Sequence, residues 1–240
     1  MNPIPVVHTH KDFIVINKPS GIAMHDPENG ILAVLQRQLN LQGMHLCHRL
    51  DTVTSGCLLL ARNAQAAAII GDLFANRLIQ KFYIAQLSKK PNKKQGTIAG
   101  DMKNRRRGQH VLLKSKDNPA VTQFFSSTLS SGERVAIVKP LTGKTHQIRV
   151  AMKSVGSPIV GDELYGGTPA DRTYLHAWGL QFIYQAEEFQ LFASPQYGQS
   201  FTHSAFAKWL SELDSPAKLP WPRYQLPSNM SDKPKDNTDD

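Results

Sequence analysis

Apolar segments of strand length dominate this chain, and most of them are joined by turns rather than by helices. They read VVHTH (6–10), FIVINKP (13–19), CLLLAR (57–62), IQKFYIAQLS (79–88), AVTQFFSSTL (120–129), ERVAIVKP (133–140), YLHAWGLQFIY (174–184) and EFQLFASP (188–195). Strands that follow each other through short turns pair antiparallel, whereas parallel neighbours need a long crossover connection. The pattern therefore predicts an α+β fold with a mixed, mostly antiparallel central sheet.

The remaining periodic segments are predicted to be helices. They are ILAVLQRQLN (31–40), the alanine-rich AQAAAIIGDLFANR (64–77), THQIRVAMKSVG (145–156) and a last segment near 203–213. Thr145 is expected to open the third helix and Gly156 to end it. These elements form one continuous domain over residues 1–213, in which CLLLAR is a buried central strand. From about Asp214 prolines and polar residues dominate, which predicts a disordered tail over residues 214–240.

The charge of the chain is concentrated in one region. The formal net charge is +9, and residues 77–116 contain twelve Lys/Arg but a single acid, Asp101. We call residues 77–116 the basic arm. Its most basic segments, KKPNKK (89–94) and KNRRRGQH (103–110), have little apolar content and are predicted to be loops or hairpin tips. Exposed positive loops favour phosphate contact, so RNA or DNA is the predicted partner, ahead of an anionic membrane.

The two cysteines and the N-terminus bear on the compartment. Cys47 and Cys57 flank the segment HRLDTVTSG (48–56), and the first residues lack the basic-then-apolar pattern of an export signal. No apolar run approaches the length of a membrane span. We therefore expect two buried thiols in a reducing cytoplasm rather than a disulfide.

Asp51 is the first candidate for chemistry because it lies immediately before the buried strand, at the edge of the sheet. A carboxylate in such a place needs a cation, and Arg149, flanked by Ile148 and Val150 within a helix, is the natural partner. Its planar fork suits a bidentate pair that would hold Asp51 ionised and oriented, as a nucleophile requires. A purely structural buried ion pair explains the same pattern and is slightly favoured by the residues alone.

Tyr83 is the third candidate and shares a strand face with Lys81. Strand tyrosines are usually core residues, but a tyrosine beside a basic arm can stack on a nucleic-acid base.

Two other groups of residues give only weak indications of a functional site. A zinc site at His45, Cys47 and His48 would lack a second pair of ligands. A serine triad of Ser55 and His48 would lack the strand–turn–helix elbow around the serine.

Five motifs in a fixed order resemble a known family. They are NKPSG (17–21), HRLDTVTSG (48–56), QKFYIA (80–85), LTGKTHQIRVAMKSVGSPIVGDELYG (141–166) and LHA (175–177). Together they resemble the RluA family of pseudouridine synthases, and the resemblance covers roughly residues 8–195. It implies the pseudouridine synthase catalytic fold, with helices flanking the sheet and a basic active-site cleft. The implied reaction isomerises a uridine within RNA, without cofactor or metal.

The resemblance also implies residue roles. Asp51 matches the catalytic aspartate, which attacks either the anomeric carbon of the ribose or carbon 6 of the uracil. Tyr83 matches the tyrosine that stacks on the base and acts as general base, and Arg149 matches the partner of the aspartate. Arg49 matches the residue that fills the space left by the flipped nucleotide, and Ile148 the residue that packs on the uracil. Further substrate contacts are expected, within the same motifs, from Lys18, Lys81, Lys144 and His146.

The chain departs from the family at two positions, where Lys144 often is arginine and Ala151 often is histidine. These departures concern substrate details rather than the catalytic residues. A separate N-terminal RNA-binding domain is not expected, so the catalytic domain and its basic loops must recognise a ribosomal or transfer RNA, as a monomer. A catalytically silent RNA-binding protein on the same fold is the alternative, and DNA binding is a weaker one.

Overall fold

The computed structural model describes residues 3–40 and 42–227. The strands in this part of the chain are β1 (Val6–Thr9), β2 (Phe13–Lys18), β3 (His45–Leu46), β4 (Ser55–Ala61), β5 (Gln80–Leu87), β6 (Gln95–Gly100), β7 (Met102–Asn104), β8 (His110–Leu112), β9 (Ala120–Thr128), β10 (Arg134–Pro140), β11 (Leu175–Tyr184) and β12 (Glu187–Phe192). The helices are α1 (Ile31–Leu39), α2 (Ala64–Ala75), α3 (Gln147–Ser154), α4 (Gln199–Thr202) and α5 (Ser204–Ser211). Single 3₁₀ turns cover Arg106–Gly108, Glu163–Tyr165 and Pro216–Lys218.

One ten-stranded sheet carries the fold. Its main path runs β1-β2-β4-β11-β5-β10-β9-β6, with β12 beside β11 and β3 beside β4. Among the described strands, every pairing is antiparallel except that of β4 with β11, which is parallel and spans two residue pairs. The predicted α+β class and mostly antiparallel sheet are therefore confirmed.

The core explains why these segments became strands. All seven residues of β4 are buried, as the continuous apolar run predicted. The sheet separates three apolar clusters, of which one lies under α3, α4 and α5, one under α2, and one under α1. Tyr83 packs against the first and the third of these clusters, so it stands where two parts of the core meet.

The basic arm folds largely as expected and adds strands that had no apolar signal. Residues 89–94 connect β5 to β6, and residues 103–110 form the tip and flanks of the separate β7–β8 hairpin. Arg107, at the tip of this hairpin, has a left-handed backbone with φ of 60°. The hairpin is anchored to the 3₁₀ turn at 163–165, because the Gln109 side chain donates to the Leu164 carbonyl at 2.8 Å.

Two local predictions are wrong. Helix α3 begins at Gln147 rather than at Thr145, since His146 takes the N-cap position with a left-handed backbone. The predicted tail also packs in its first part: Pro216 is buried, and the Trp221 ring lies 4.8 Å from that of Phe125. The apolar area of this tryptophan outweighs the lost periodicity around it. Residues 228–240 of the predicted tail lie outside the described residues.

Within the described ranges, none of the helices has the length and apolar character that a membrane span requires.

Candidate active site

Asp51 stands at the start of a turn that a second motif holds in place. The turn closes through the Thr54 N–H, which donates to the Asp51 carbonyl at 2.9 Å. The segment NKPSG then binds the outer carbonyls of the turn: the Gly21 N–H donates to Thr52 at 2.7 Å, and the Ser20 hydroxyl donates to Val53 at 2.8 Å. The two motifs therefore form one hydrogen-bonded unit, which fixes the position of the Asp51 carboxylate.

Lys18 belongs to that unit, and its predicted contact with substrate is wrong. The side chain is fully buried, and its ammonium donates to the carbonyls of Pro19 at 3.0 Å, Thr54 at 3.1 Å and Thr52 at 3.4 Å. Burial, and after it the charge of Arg172, lowers the pKa of Lys18 from 10.5 to about 8. An ammonium with its donors spent on backbone carbonyls stabilises the turn rather than a ligand.

Arg149 reaches Asp51, but its fork is spent on another carboxylate. The Arg149 Nη1 donates to Asp51 Oδ2 at 3.2 Å, whereas Nε and Nη2 donate to the two oxygens of Asp162 at 2.8 Å each. The Arg149 and Asp162 side chains are 6% and 1% exposed, and that of Asp51 is 18% exposed. The predicted pair with Asp51 therefore exists, but the predicted bidentate geometry belongs to Asp162.

The charges around Arg149 keep it protonated. Burial alone would lower the pKa of Arg149, but the hydrogen bonds and charge of Asp162, followed by those of Asp51, raise it. The guanidinium also lies over the Tyr165 ring, with its carbon 5.0 Å from the ring centroid. The guanidinium is held by Asp162, by Asp51 and by the Tyr165 ring. It therefore presents a constant positive charge to Asp51, the more exposed of the two carboxylates.

His146 approaches Asp51 from a strained backbone position. Its φ of 55° is a left-handed conformation that is uncommon for residues other than glycine. The Nδ1 atom lies 2.9 Å from the Tyr165 hydroxyl, which also accepts the His110 N–H at 3.0 Å. We assign the hydroxyl as the donor to Nδ1, which places the His146 proton on Nε2, 3.9 Å from Asp51 Oδ2. Because burial lowers the pKa of His146, the ring faces Asp51 as a neutral donor.

Tyr83 lines the same space from β5, opposite Ala177 of β11 and Val138 of β10. Burial first, and then the negative charge of Asp51, raises the pKa of its hydroxyl. Lys81 shares the cavity wall with Tyr83, as the strand alternation predicted.

A cavity of about 620 Å³ connects these groups. Arg49, Ile148, Lys144 and His146 line it together with Asp51, Tyr83 and Arg149, so the structure brings together all the predicted site residues except Lys18. Ile148 is buried in its wall and Arg49 is exposed at its rim. The Lys144 ammonium donates to the Asn118 side chain at 2.9 Å, which ties it to the loop after β8.

Sequence reasoning missed Asp162, Tyr165 and a buried network beneath the turn. In that network the Ser55 hydroxyl lies 2.8 Å from His176 Nδ1 and accepts from Arg172 at 2.7 Å. His48, the weak triad candidate, instead accepts the Leu59 N–H at 2.9 Å. Among residues 3–40 and 42–227, no three metal-ligating side chains are grouped as a metal site would require.

Comparison with known proteins gives a consistent result. The family described as RNA pseudouridylate synthase matches residues 12–154. An "Uncharacterized RNA pseudouridine synthase" of Haemophilus influenzae is 50% identical over 82% of this chain and 89% of its own length. The "Ribosomal large subunit pseudouridine synthase C" of Vibrio cholerae is 29% identical over 78% of this chain and 63% of its own length. Among solved structures, "Human RNA Pseudouridylate Synthase Domain Containing 1" is similar with a TM-score of 0.70 at 27% identity, covering 84% of this chain and 89% of that one.

Proposed function

Because the chain belongs to the RNA pseudouridylate synthase family, we propose that it isomerises a uridine in a folded ribosomal RNA, with Asp51 as the nucleophile. The observation that carries this proposal is the partly exposed Asp51 carboxylate, held between Arg149 and His146 at the cavity wall. Ribosomal RNA is placed ahead of transfer RNA because relatives such as the Vibrio cholerae protein are named for the large ribosomal subunit. A cytoplasmic location fits this substrate, which bacteria make and fold there.

The reaction breaks one bond to the ribose and forms another. In the route through the ribose, Asp51 forms an ester at the anomeric carbon while the bond to uracil N1 breaks, so the base leaves as an anion. The uracil turns, and its carbon 5 displaces Asp51 from the same carbon. The proton on carbon 5 is then lost. In the alternative route Asp51 adds to carbon 6 of the ring, and in both routes the carboxylate is first nucleophile and then leaving group.

Arg149 and His146 serve Asp51 in different ways. The fixed charge of Arg149, together with the neutral Nε2–H of His146, keeps the carboxylate ionised and aimed into the cavity. Neither group transfers a proton in the proposed steps. Because Asp162 holds the guanidinium, Asp51 can leave its contact at 3.2 Å for the substrate without releasing Arg149.

Tyr83 is proposed to stack on the uracil and to take the proton from carbon 5. The raised pKa keeps its hydroxyl protonated before the reaction. Such a hydroxyl can accept a proton only if it passes its own to a neighbour. Asp51 is the carboxylate whose charge acts on this hydroxyl, and it is free again once carbon 5 has displaced it. We therefore assign the pair Tyr83 and Asp51 to the last proton transfer.

The basic hairpin supplies affinity for the folded RNA. Arginines 105–107 are exposed at its tip, and His110, in the strand pair next to that tip, packs its ring 5.1 Å from that of His146. Phosphate contacts of this kind position RNA without reading its sequence. Replacing arginines 105–107 by alanine should lower the slope of log affinity against log salt by about 2 to 3. The control replaces three other exposed cations by alanine, Lys208, Lys218 and Arg223, which lie outside the cavity. It should leave that slope unchanged.

The decisive test measures tritium release from RNA labelled at carbon 5 of uridine, with RNA taken from cells that lack this protein. Wild type should release tritium and create carbodiimide-dependent reverse-transcription stops at a defined uridine. Asp51→Asn should do neither, and Asp214→Asn, which changes an exposed aspartate outside the cavity, should behave as wild type. Undiminished release by Asp51→Asn would exclude the proposal. Normal RNA affinity with background release by wild type would favour the catalytically silent RNA-binding protein instead.

A further inference from the structure

The cavity that contains Asp51 extends well past the groups that a uracil needs. Its catalytic end is formed by Asp51, Tyr83, Ile148 and Arg149. Its other end is formed by β3 and by the C-terminal half of α2, and is lined by Leu46, Cys47, His48, Gly71, Asp72, Phe74 and Ala75. We call this second end the α2 groove. A continuous cavity of about 620 Å³ holds a whole small-molecule ligand, which is more than one flipped pyrimidine ring requires.

A glycine keeps the α2 groove open. Gly71 lies inside α2, where glycine weakens a helix relative to alanine. A β-carbon at this position would meet no atom within 4 Å, so packing does not forbid a side chain there. The missing side chain instead leaves room between the helix and the cavity. Glycine at this position therefore lowers the helix propensity of α2 and leaves this space open.

The α2 groove has an aromatic wall formed by two neutral rings. The Phe74 ring is stacked on the His48 imidazole, with centroids 4.4 Å apart and planes 24° apart. Burial, followed by the charge of Lys81, lowers the pKa of His48 to about 3, so the imidazole is neutral. Its Nε2 accepts the Leu59 N–H, which places its proton on Nδ1 and fixes the ring. A rigid wall of this kind is suited to a planar ligand.

Two cations link the catalytic end to the α2 groove. Arg49 follows His48 of the groove and precedes Asp51 by two residues. Lys81 shares a strand face with Tyr83, and its charge acts on His48. Arg49 is exposed and Lys81 is half-exposed, and both line the cavity. The carboxylate of Asp72 lies at the rim, where it can accept from the N–H groups of a base but repels a phosphate. The cavity therefore offers a site for one planar ring at its catalytic end and a site for a second planar ring in the α2 groove, where Asp72 can accept hydrogen bonds. The positive charges of Arg49 and Lys81 link the two sites.

From this arrangement we propose that the α2 groove binds the base of the nucleotide next to the target uridine in the same RNA strand. That base, like the target uridine, is unpaired when it binds. The inference rests on the proposed function, because it takes the catalytic end as the uridine site. The bridge of Arg49 and Lys81 matches the phosphodiester that joins two successive nucleotides. An apolar side chain of a protein partner could pack on the aromatic wall, but it would offer no negative charge to Arg49 and Lys81. Binding of this kind needs the nucleotide beside the target uridine to be unstacked together with it.

Nuclear magnetic resonance of the ¹⁵N-labelled full chain tests this with two defined probes, uridine monophosphate and the dinucleotide pUpU. The monophosphate should shift the amides of Ile148 and Arg149 alone. The dinucleotide should also shift those of Gly71, Asp72 and Ala75, and should bind at least about fivefold tighter, the lower end of what stacking one base contributes.

Two variants separate the α2 groove from the rest of the cavity. Gly71→Leu should remove the dinucleotide's advantage and leave monophosphate affinity unchanged. Gln65→Leu, an exposed position on the same helix about 9 Å nearer its start, should change neither affinity. Melting curves of both variants establish that the fold is retained.

The outcomes distinguish this inference from the proposed function. If pUpU binds no tighter than the monophosphate and leaves the α2 amides unmoved, the inference is overturned while the uridine site stands. An advantage of pUpU that persists in Gly71→Leu also overturns it, because the second nucleotide then lies elsewhere. If the monophosphate fails to shift Ile148 and Arg149, the uridine site itself is contradicted.

Discussion

Two carboxylates share the guanidinium of Arg149, and replacing each in turn should separate stability from chemistry. Asp162 accepts two hydrogen bonds at 2.8 Å, and its side chain is 1% exposed. Asp51 accepts one at 3.2 Å and is 18% exposed. Asp162→Asn keeps the shape of the side chain but removes its charge and sets an amide N–H₂ against an arginine N–H.

The expected magnitudes differ because burial differs. Breaking one side of a buried ion pair costs about 3–5 kcal/mol, since the remaining charge is left without compensation. For a domain of this size, that loss lowers the melting temperature by about 6 to 20 °C, which leaves a folded protein at low temperature. Asp51→Asn removes a single, partly solvated contact that contributes about 1 kcal/mol or less, so its melting temperature should stay within about 4 °C of wild type.

Activity should show the reverse order. Asp51→Asn should abolish tritium release because it removes the proposed nucleophile. Asp162→Asn should keep measurable release at a temperature below its transition, reduced up to about 100-fold because Arg149 is less well positioned. Thermal unfolding followed by circular dichroism, together with the tritium assay on the same preparations, measures both. Wild-type melting of Asp162→Asn, or a loss of stability by Asp51→Asn as large as that of Asp162→Asn, would refute the reasoning from burial.

Other expected outcomes concern groups around this pair. Tyr83→Phe should lower turnover by at least about 100-fold with RNA affinity nearly unchanged, and unchanged turnover would exclude its proton transfer. Lys18 has a folded-state pKa of about 8, below its unfolded value, so the unfolded state binds more protons between pH 8 and 10.5. The unfolding free energy of wild type relative to Lys18→Met should therefore rise over that interval, by on the order of 3 kcal/mol, in urea titrations; a flat difference would contradict the buried ammonium. Tyr165→Phe should lower kcat but not KM, and ¹⁵N spectra should show His146 losing its single tautomer; one unmixed tautomer would mean that Tyr165 does not set it.

Most of the sheet strands and the longer helices were predictable because their signals are local, whereas β3, β6, β7 and β8 carry no such signal. Alternation along β5 placed Tyr83 and Lys81 on one face, and the unbroken apolar run of β4 indicated a strand buried on both sides. The contact between Arg149 and Asp51 followed from charge alone, since a guanidinium among apolar residues needs a carboxylate. Contacts of this kind can be predicted from sequence because one interaction, the burial of apolar area or the pairing of opposite charges, outweighs the others.

The contacts that escaped prediction depend on how distant segments meet. Asp162 sits in a glycine-rich loop, where acids are ordinarily solvated, and the burial that makes it the main partner of Arg149 appears only after folding. The five donors of an arginine were the available signal, because one carboxylate cannot accept them all. Lys18 resembled a ligand-binding cation for a similar reason: the three carbonyls that occupy it come mostly from a turn more than thirty residues away.

The glycine that closes HRLDTVTSG has a geometric task in this site. Gly56 pairs with Ala177 in the short parallel contact between β4 and β11, and Tyr83 pairs with the same Ala177 from the other side of β11. A β-carbon on Gly56 would lie 2.2 Å from the Ala177 carbonyl oxygen, and its φ of 114° disfavours any side chain. The two strands can therefore approach only because this residue is glycine. Asp51 precedes β4 and Tyr83 lies within β5, so the approach of β4 to β11 at Gly56 helps to fix the distance between the strands that carry these two proposed catalytic residues.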